Sequence, residues 1–327
     1  MIVQTLIDLD RARIFAIPLA DGTGVREGML IEGPQGWGEF SPAESADPAE
    51  LARWLTAATE PGTVGWPDAV RGRVPVAVSV PAVAADRAHR LVADSGCRTA
   101  EVTVGTAGGD APSRAADIAR VEAVRDALGP GGRLRCRAGA AWDPATAASI
   151  IAELARAAGD LDFVAQPCAS LPEMAALRRT VGVRIGVDAA RQHGAGRGSG
   201  ALLEAADVVV LDCGPLGGVR RALRVGETLG LPCAVMSSAV STVGLAGAIA
   251  LAAALPELEH ACGVGERAQL TGDLVSAARS LTGADGYLPA APMPPGPVPD
   301  LLERFAVTDP QRVDRWRRRL EIARSAG

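Results

Sequence analysis

The stretch DVVVLDCGPLGGVRRALRVGETLGLPCAVMS (residues 207–237) decides the fold. It opens with the apolar, β-branched run DVVVLD (207–212), continues with GGVRRALRVGETL (217–229) at helical spacing, and ends with the apolar run PCAVMS (232–237). Continuous apolar runs are typical of strands buried on both faces, and a helix between two of them is typical of a parallel sheet. The stretch therefore predicts one strand–helix–strand unit.

The same alternation of apolar runs and amphipathic stretches extends along most of the chain. Eight strands are predicted, at residues 74–80, 100–104, 133–138, 162–167, 183–188, 207–212, 232–237 and 260–264. Segments of helical length such as ADIARVEAVRDAL (116–128) and PATAASIIAELARAA (144–158) lie between most of them. Eight strands alternating with helices match the unit count of a β/α barrel. The predicted fold class is therefore α/β, with the barrel over residues 76–285.

The segments on either side of this barrel have a different pattern. Before it, the runs RIFAIPL, GMLIEG and GWGEFS predict an antiparallel meander, and a helix is predicted at ADPAELARWLTAAT (46–59). Residues 1–75 are thus expected to form a small α+β domain. After the barrel, a Pro-rich run and the charged helix DRWRRRLEIARSAG (314–327) predict a C-terminal segment, residues 286–327, that packs back on this domain.

Composition restricts the class of partner. The chain has a net charge of −5 and 3% aromatic residues, whereas a protein that reads nucleic acid needs a basic face and aromatic stacking platforms. The N-terminal MIVQTLIDLDRARIF (1–15) reaches acidic residues before an apolar run of signal or membrane length develops. The sequence therefore predicts a cytoplasmic protein with a small-molecule substrate, no nucleic-acid partner and no membrane partner, and it leaves homo-oligomerisation open.

The chain contains no lysine and no asparagine, so arginine carries all of its basic charge. This absence excludes Schiff-base catalysis, attachment of pyridoxal phosphate, a P-loop lysine and a lysine general base. The three histidines have no partner at the spacing of a metal site or a catalytic triad. Carboxyl side chains are therefore the main candidates for acid–base chemistry.

Several motifs together carry a resemblance to a known family. They are VREGMLIEGPQGWGEFSP (25–42), AQPCASLPEMAALRR (165–179), PLGGVRRAL (215–223) and SSAVSTVGLAGAIALAAALPELEHACGVG (237–265). In these motifs and in their order, nearly the whole chain resembles the o-succinylbenzoate synthase family of the enolase superfamily. The resemblance implies an enolase-type modified β/α barrel with an N-terminal α+β capping domain. It also implies an active site at the carboxyl ends of the strands, where Mg²⁺ stabilises an enediolate and a lysine acts as acid and base.

The family's lysine positions carry other residues in this sequence. The two lysines of the Lys-x-Lys motif on the second strand fall on Glu101 and Thr103, and the lysine of the sixth strand falls on Asp212. Strand parity, carried over from the family, points all three side chains into the barrel.

The family's metal ligands are also largely replaced. The resemblance places the third-strand ligand at Arg137 and the fourth-strand ligand at Ala165, whereas the fifth-strand ligand is retained as Asp188. One carboxylate beside an arginine does not provide the oxygen ligands that Mg²⁺ prefers. The sequence therefore predicts no bound metal and no cofactor.

Four charged residues are predicted to be catalytic, and each has an alternative role. Glu101 and Asp212 face each other across the barrel, where they could act as a carboxylic acid and a carboxylate. Alternatively, both carboxylates pair with Arg135 or Arg137. Arg137 and Asp188 could form an ion pair in which Arg137 supplies the positive charge that Mg²⁺ gives in the family. Alternatively, that pair only neutralises buried charge.

Four further residues are predicted to bind substrate. Ser237 and Ser238 fall where the family binds the substrate carboxylate at the seventh strand, and Thr103 lies at the inward end of the second. Glu266 follows the last strand and could reach the pocket, although an exposed loop position is the alternative.

These substitutions favour a diverged, metal-independent enzyme of the enolase superfamily. Its predicted reaction is the isomerisation, dehydration or pericyclic cyclisation of a polyene or cyclic carboxylate in secondary metabolism, since positioning alone can contribute about 7–11 kcal/mol. The alternative hypothesis is a non-catalytic relative that binds a small molecule. A third hypothesis is o-succinylbenzoate synthesis itself, which predicts Mg²⁺-dependent turnover of the cyclohexadiene carboxylate substrate.

Overall fold

The computed structural model of the protein describes residues 7–105, 114–192, 199–238, 240–281, 285–290 and 293–327, without the side chains of Ser199, Glu266 and Arg267. Its strands are β1 (Arg13–Pro18), β2 (Val25–Gly33), β3 (Gly36–Phe40), β4 (Arg73–Pro75), β5 (Val78–Val80), β6 (Thr99–Thr103), β7 (Arg133–Arg137), β8 (Val164–Ala165), β9 (Ile185–Asp188), β10 (Val208–Leu211), β11 (Cys233–Val235) and β12 (Tyr287–Pro289). Its helices are α1 (Pro48–Thr63), α2 (Ala85–Ala93), α3 (Arg114–Leu128), α4 (Pro144–Ala158), α5 (Leu171–Arg178), α6 (Ala189–Gln192), α7 (Ser199–Ala205), α8 (Cys213–Leu216), α9 (Val219–Leu229), α10 (Thr242–Ala254), α11 (Pro299–Arg304) and α12 (Pro310–Ser325).

The N-terminal part is an antiparallel sheet of order β1–β2–β3 that packs against α1. Leu30 of β2 lies opposite Glu39 of β3. At Gly38 an added Cβ atom would lie 1.9 Å from the Ala58 carbonyl oxygen of α1, so only glycine allows the helix to approach the strand this closely. This close packing holds α1 against β3 within the N-terminal part.

The second part is a parallel sheet of order β11–β10–β9–β8–β7–β6–β5, with helices between most consecutive strands. The predicted strand 74–80 is divided in two. β4 pairs antiparallel with β12 outside this sheet, and β5 pairs with β6 inside it. The division follows Pro75, which has no N–H group to donate to a continuing ladder.

Residues 260–264, predicted as the eighth strand, form isolated bridges rather than a strand. Val76 bridges to Cys262 and Met236 bridges to Gly263, both in the parallel sense. These two bridges lie beside the strands at the opposite edges of the sheet, β5 and β11. The periodicity therefore placed the segment correctly and overestimated its length as a strand.

The interior of the barrel explains why this closing segment carries a glycine. A Cβ atom at Gly263 would lie 2.8 Å from Glu101 Oε2 and 2.9 Å from Arg135 Nη2. The space that a side chain would need is taken by a buried ion pair between these two residues, which are 2% and 0% exposed.

The C-terminal helix α12 contacts the N-terminal sheet and α1. The Trp316 indole N–H donates a hydrogen bond of 2.6 Å to Glu27 of β2, and the Trp316 ring packs edge-on against Phe40 at a centroid distance of 6.0 Å. These contacts place the charged end of the chain on the N-terminal part. The boundaries of the three predicted segments stay a prediction.

A buried carboxylate of the N-terminal part meets the first turn of α10. Glu39 accepts hydrogen bonds from the backbone N–H groups of Ser241, at 3.1 Å, and Gly244, at 3.2 Å. Burial raises the pKa of Glu39, while the hydrogen bonds from Ser241 and Ser41 oppose that rise. The contact joins β3 to a barrel helix through the unpaired N–H groups that every helix start presents.

Glu60 of α1 makes the corresponding contact at the start of α9. Its two oxygens accept hydrogen bonds from the N–H groups of Val219, at 2.6 Å, and Arg220, at 3.0 Å. We expect Glu60→Ala to lower the free energy of unfolding by about 1–2 kcal/mol, because both N–H groups lose their acceptor. Urea denaturation measures this change. Glu227→Ala, at an exposed position of α9, is the control, and an equal loss in both variants would contradict the role of Glu60.

Candidate functional site at the barrel mouth

A cavity of about 590 Å³ opens at the carboxyl ends of the parallel strands, which we call the barrel mouth. Six of the predicted site residues line it: Thr103, Arg137, Asp188, Asp212, Ser237 and Ser238. Much of the remaining lining is small, since Ala138 to Ala141 and Ala165 contribute little side-chain volume. Ligand sites of β/α barrels lie at this end of the strands, so the cavity is the candidate site.

The other two predicted site residues are Glu101 and Glu266. Glu101 is 2% exposed and lies below the cavity, two residues before Thr103 on β6. The side chain of Glu266 lies outside the part of the chain that the structure describes. The role predicted for Glu266 in binding substrate therefore stays a prediction.

Glu101 is held in a buried ionic contact with two arginines. Its Oε2 lies 2.8 Å from Arg135 Nε, and its Oε1 lies 3.6 Å from Arg137 Nε. Arg135 also donates to the Ala261 carbonyl oxygen at 2.7 Å, and its guanidinium lies 5.3 Å from the ring centre of Phe163. This arrangement corresponds to the alternative role of Glu101, in which its carboxylate pairs with Arg135 or Arg137. It disfavours the predicted acid–base role, because both carboxylate oxygens face guanidinium groups.

Asp188 ends β9 and faces the cavity. Its Oδ1 accepts a hydrogen bond of 2.9 Å from the Ala190 N–H, and its Oδ2 lies 3.7 Å from Arg191 Nε. Burial raises the pKa of Asp188, and the Ala190 N–H and the charges of Arg191 and Arg137 oppose that rise. The positive charge of Arg137 therefore acts to lower the pKa of Asp188. A direct ion pair between these two residues stays a prediction.

Asp212 follows β10 and caps the short helix α8. Its Oδ1 accepts a hydrogen bond of 3.1 Å from the Gly214 N–H, which orients the carboxylate at the edge of the cavity. Ser237 donates its hydroxyl to the Ser238 carbonyl oxygen at 3.1 Å, and its N–H to the Gly263 carbonyl oxygen at 3.1 Å. A ligand that uses the Ser237 hydroxyl must therefore compete with a backbone contact.

Two further residues that no sequence pattern indicated, Arg191 and Gln166, also line the cavity. Gln166 accepts a hydrogen bond of 3.0 Å from the Asp188 N–H and donates one of 2.9 Å to the Cys168 carbonyl oxygen. Arg191 follows Asp188 by three residues in α6, and this helical spacing is the one signal that would have found it.

The donor set at the mouth does not fit the magnesium ion that the family resemblance implies. Among the described residues, the charged ones that line the cavity are two arginines and two aspartates, Arg137, Arg191, Asp188 and Asp212. Within the described ranges, no group of three or more His, Cys, Asp or Glu side chains is placed to hold a metal ion. Mg²⁺ prefers an octahedron of oxygen ligands, and guanidinium groups oppose its charge.

No helix in the described part of the chain is both long enough and apolar enough to cross a membrane.

Two family models match the chain. The model described as "Enolase N-terminal domain-like" matches residues 14–61, and the model described as "Enolase C-terminal domain-like" matches residues 83–296. Among solved structures, the substrate-liganded L-Ala-D/L-Glu epimerase from Bacillus subtilis has a TM-score of 0.71 at 19% identity, over 89% of this chain and 96% of that one. The predicted fold class, an enolase-type barrel with an α+β capping domain, is therefore confirmed.

Curated relatives match at much higher identity. The o-succinylbenzoate synthase of Thermobifida fusca (strain YX) is 46% identical over 317 residues, which is 96% of each chain. The o-succinylbenzoate synthase of Mycolicibacterium smegmatis is 38% identical over 308 residues, 93% of this chain and 92% of that one.

This near full-length similarity contradicts the function predicted from the sequence. The hypothesis of an enzyme repurposed for another reaction in secondary metabolism, with a non-catalytic relative as its alternative, is wrong by this comparison, because the two relatives that match over 96% and 93% of this chain are o-succinylbenzoate synthases. That hypothesis rested on a few substituted site positions, whereas the similarity extends over nearly the whole chain. The chain is a member of the enolase superfamily and a homologue of the o-succinylbenzoate synthases.

Proposed function

We propose that this enolase-superfamily enzyme is a lyase that forms o-succinylbenzoate by dehydrating a cyclohexadiene carboxylate. The observation that carries the proposal is the 46% identity, over 96% of both chains, to an o-succinylbenzoate synthase. The product carries two carboxylates, one on the ring and one on the succinyl group. Two arginines of the cavity, Arg137 and Arg191, offer guanidinium groups that can each bind one carboxylate.

We propose further that this chain uses other side chains at the family's lysine and metal positions. Arg137 binds the ring carboxylate and stabilises the negative charge that grows on it when the neighbouring C–H bond is broken. Asp212, which stands at the sixth-strand lysine position, is the proton acceptor at the opposite wall. Arg191 binds the succinyl carboxylate at the rim of the cavity.

The reaction then balances with Asp212 as the only group that changes protonation. The carboxylate of Asp212 takes the proton from the ring carbon that bears the carboxylate. The electron pair of that C–H bond forms the new ring double bond as the neighbouring C–O bond breaks. The leaving hydroxide takes the proton from Asp212 and departs as water. Because the product ring is aromatic, the equilibrium strongly favours elimination.

The test is a turnover assay with the cyclohexadiene carboxylate substrate. We expect the purified chain to form o-succinylbenzoate faster than the uncatalysed reaction, with product measured by chromatography. Arg90→Ala is the matched control, since Arg90 is an exposed residue on α2 that pairs with Asp86. We expect this variant to keep the wild-type rate. A wild-type rate equal to the uncatalysed one, both with added Mg²⁺ and with a chelator, would overturn the proposed function.

A further inference from the structure

Three charged residues connect the interior of the barrel to the cavity. Arg135 and Glu101 lie opposite each other on β7 and β6 and form the buried ion pair. Arg137 lies two residues beyond Arg135 on the same strand, so its side chain points to the same side of the sheet. Glu101 contacts both arginines, and Arg137, with its side chain 32% exposed, is the member that lines the cavity. We call these three residues the Arg135–Glu101–Arg137 triad.

The carboxylates of Glu101 and Asp188, in and beside this triad, already lie close to arginine side chains. Glu101 has one oxygen toward each arginine, and Asp188 has Arg191 at 3.7 Å and the charge of Arg137 nearby. The neighbour of Arg137 across the strands is Ala165, which has no ligand atom in its side chain. A divalent cation would therefore meet two aspartates and two guanidinium groups among the described residues of the cavity, an arrangement that opposes its binding.

We propose that the guanidinium of Arg137 is the permanent cation of this site and that it binds the ligand carboxylate directly, in the place where the family resemblance puts Mg²⁺. Glu101 is a positioning residue in this proposal. It is fixed from below by Arg135 and holds Arg137 at the cavity wall. The inference rests on the proposed function for its choice of ligand, since o-succinylbenzoate is used as the probe.

The first experiment titrates the wild-type protein with Mg²⁺ alone and with o-succinylbenzoate, by calorimetry. We expect no saturable binding of Mg²⁺, and the same affinity for o-succinylbenzoate with Mg²⁺ and with a chelator. Arg137→Ala should weaken o-succinylbenzoate binding about 10- to 100-fold, as expected for loss of a charged hydrogen bond. Arg90→Ala should leave it unchanged. Saturable Mg²⁺ binding by the wild-type protein, or binding of o-succinylbenzoate only with Mg²⁺, would overturn the proposal.

A second experiment asks whether Arg137 itself excludes the metal. The double variant Arg137→Asp and Ala165→Glu would place carboxylates on β7 and β8 beside Asp188. We expect this variant to bind Mg²⁺ saturably, and Ala165→Glu alone not to, because it retains the guanidinium. Failure of the double variant to bind Mg²⁺, or equal binding by the single variant, would contradict the placement of Arg137 at the cation position.

A third experiment separates the positioning role of Glu101 from a purely structural one. We expect Glu101→Gln to weaken o-succinylbenzoate binding in the wild-type background and to add nothing in the Arg137→Ala background. Equal weakening in both backgrounds would show that Glu101 does not act through Arg137. If Glu101→Gln does not fold, Glu101→Asp, which keeps the charge on a shorter side chain, completes the same cycle.

These outcomes can be told apart from failure of the proposed function. Turnover that requires Mg²⁺ would overturn the inference and leave the lyase activity in place. Binding of o-succinylbenzoate that depends on Arg137 and not on Mg²⁺, in a protein without turnover, would support the inference and overturn the proposed function.

Discussion

Asp212→Asn is expected to lower kcat for o-succinylbenzoate formation by about 10²–10⁴-fold, the usual effect of removing a positioned general base. The substitution removes the charge and the proton-accepting capacity of the side chain and keeps its size. Asparagine is also a good N-cap, so its side-chain oxygen can still accept the hydrogen bond from the Gly214 N–H in the first turn of α8. KM should change little, because Asp212 is proposed to act on a proton and not to bind a carboxylate.

The measurement is steady-state turnover of the cyclohexadiene carboxylate, with the thermal midpoint recorded for each variant. Asp94→Asn, at the exposed end of α2, is the matched control and should keep the wild-type kcat. An Asp212→Asn variant that retains full kcat would remove Asp212 from the mechanism. A large rise in KM at constant kcat would instead make it a binding residue.

The fold was predictable because the signals for it are local. Apolar runs of strand length followed by amphipathic stretches recur from residue 74 onward, and each of these features depends on neighbours in the sequence. The eighth strand was overestimated for a non-local reason. The segment 260–264 has the apolar character of a strand, but its pairing is limited to Cys262 and Gly263, next to an ion pair built from β6 and β7. Sequence periodicity does not contain that constraint.

The sequence predicts on which side of the sheet each site residue lies, but it does not predict how far below the cavity the residue lies. Strand parity predicts that Glu101, Thr103 and Arg137 share a side of the sheet, and in the structure the last two line the cavity. Parity does not say that Glu101 lies below the cavity, where Arg135 neutralises it. Arg191 was not predicted, because its contact with Asp188 depends on the short helix α6, which residue propensities do not indicate.

The function was predicted wrongly for a related reason. Loss of the lysines and of two metal ligands predicts loss of the reaction only if these groups are the only way to stabilise the transition state. A guanidinium at the same strand end also places positive charge beside a carboxylate. The identity of 46% over 96% of the chain counts all aligned positions, whereas the wrong prediction rested on a few of them.

Arg135→Met is expected to lower the free energy of unfolding by about 3–5 kcal/mol, the usual cost of removing one partner of a buried ion pair. Arg135 is 0% exposed, and its loss would leave the 2%-exposed Glu101 with only the more distant Arg137. Urea denaturation measures the change. The exposed pair on α2 provides the matched control, since Arg90→Met should cost less than about 1 kcal/mol.

The double variant Arg135→Met and Glu101→Leu separates stability from function. Because replacing both members of a buried pair with apolar residues is often neutral, we expect it to recover most of the stability lost in Arg135→Met. We also expect it to bind o-succinylbenzoate more weakly than the wild-type protein, because Arg137 has lost the carboxylate that holds it. If the double variant were both stable and fully able to bind, the ion pair would be a packing feature of the barrel and would have no part in forming the site. If it were as unstable as Arg135→Met, the buried pair itself would be contributing net stability beyond what apolar packing can replace.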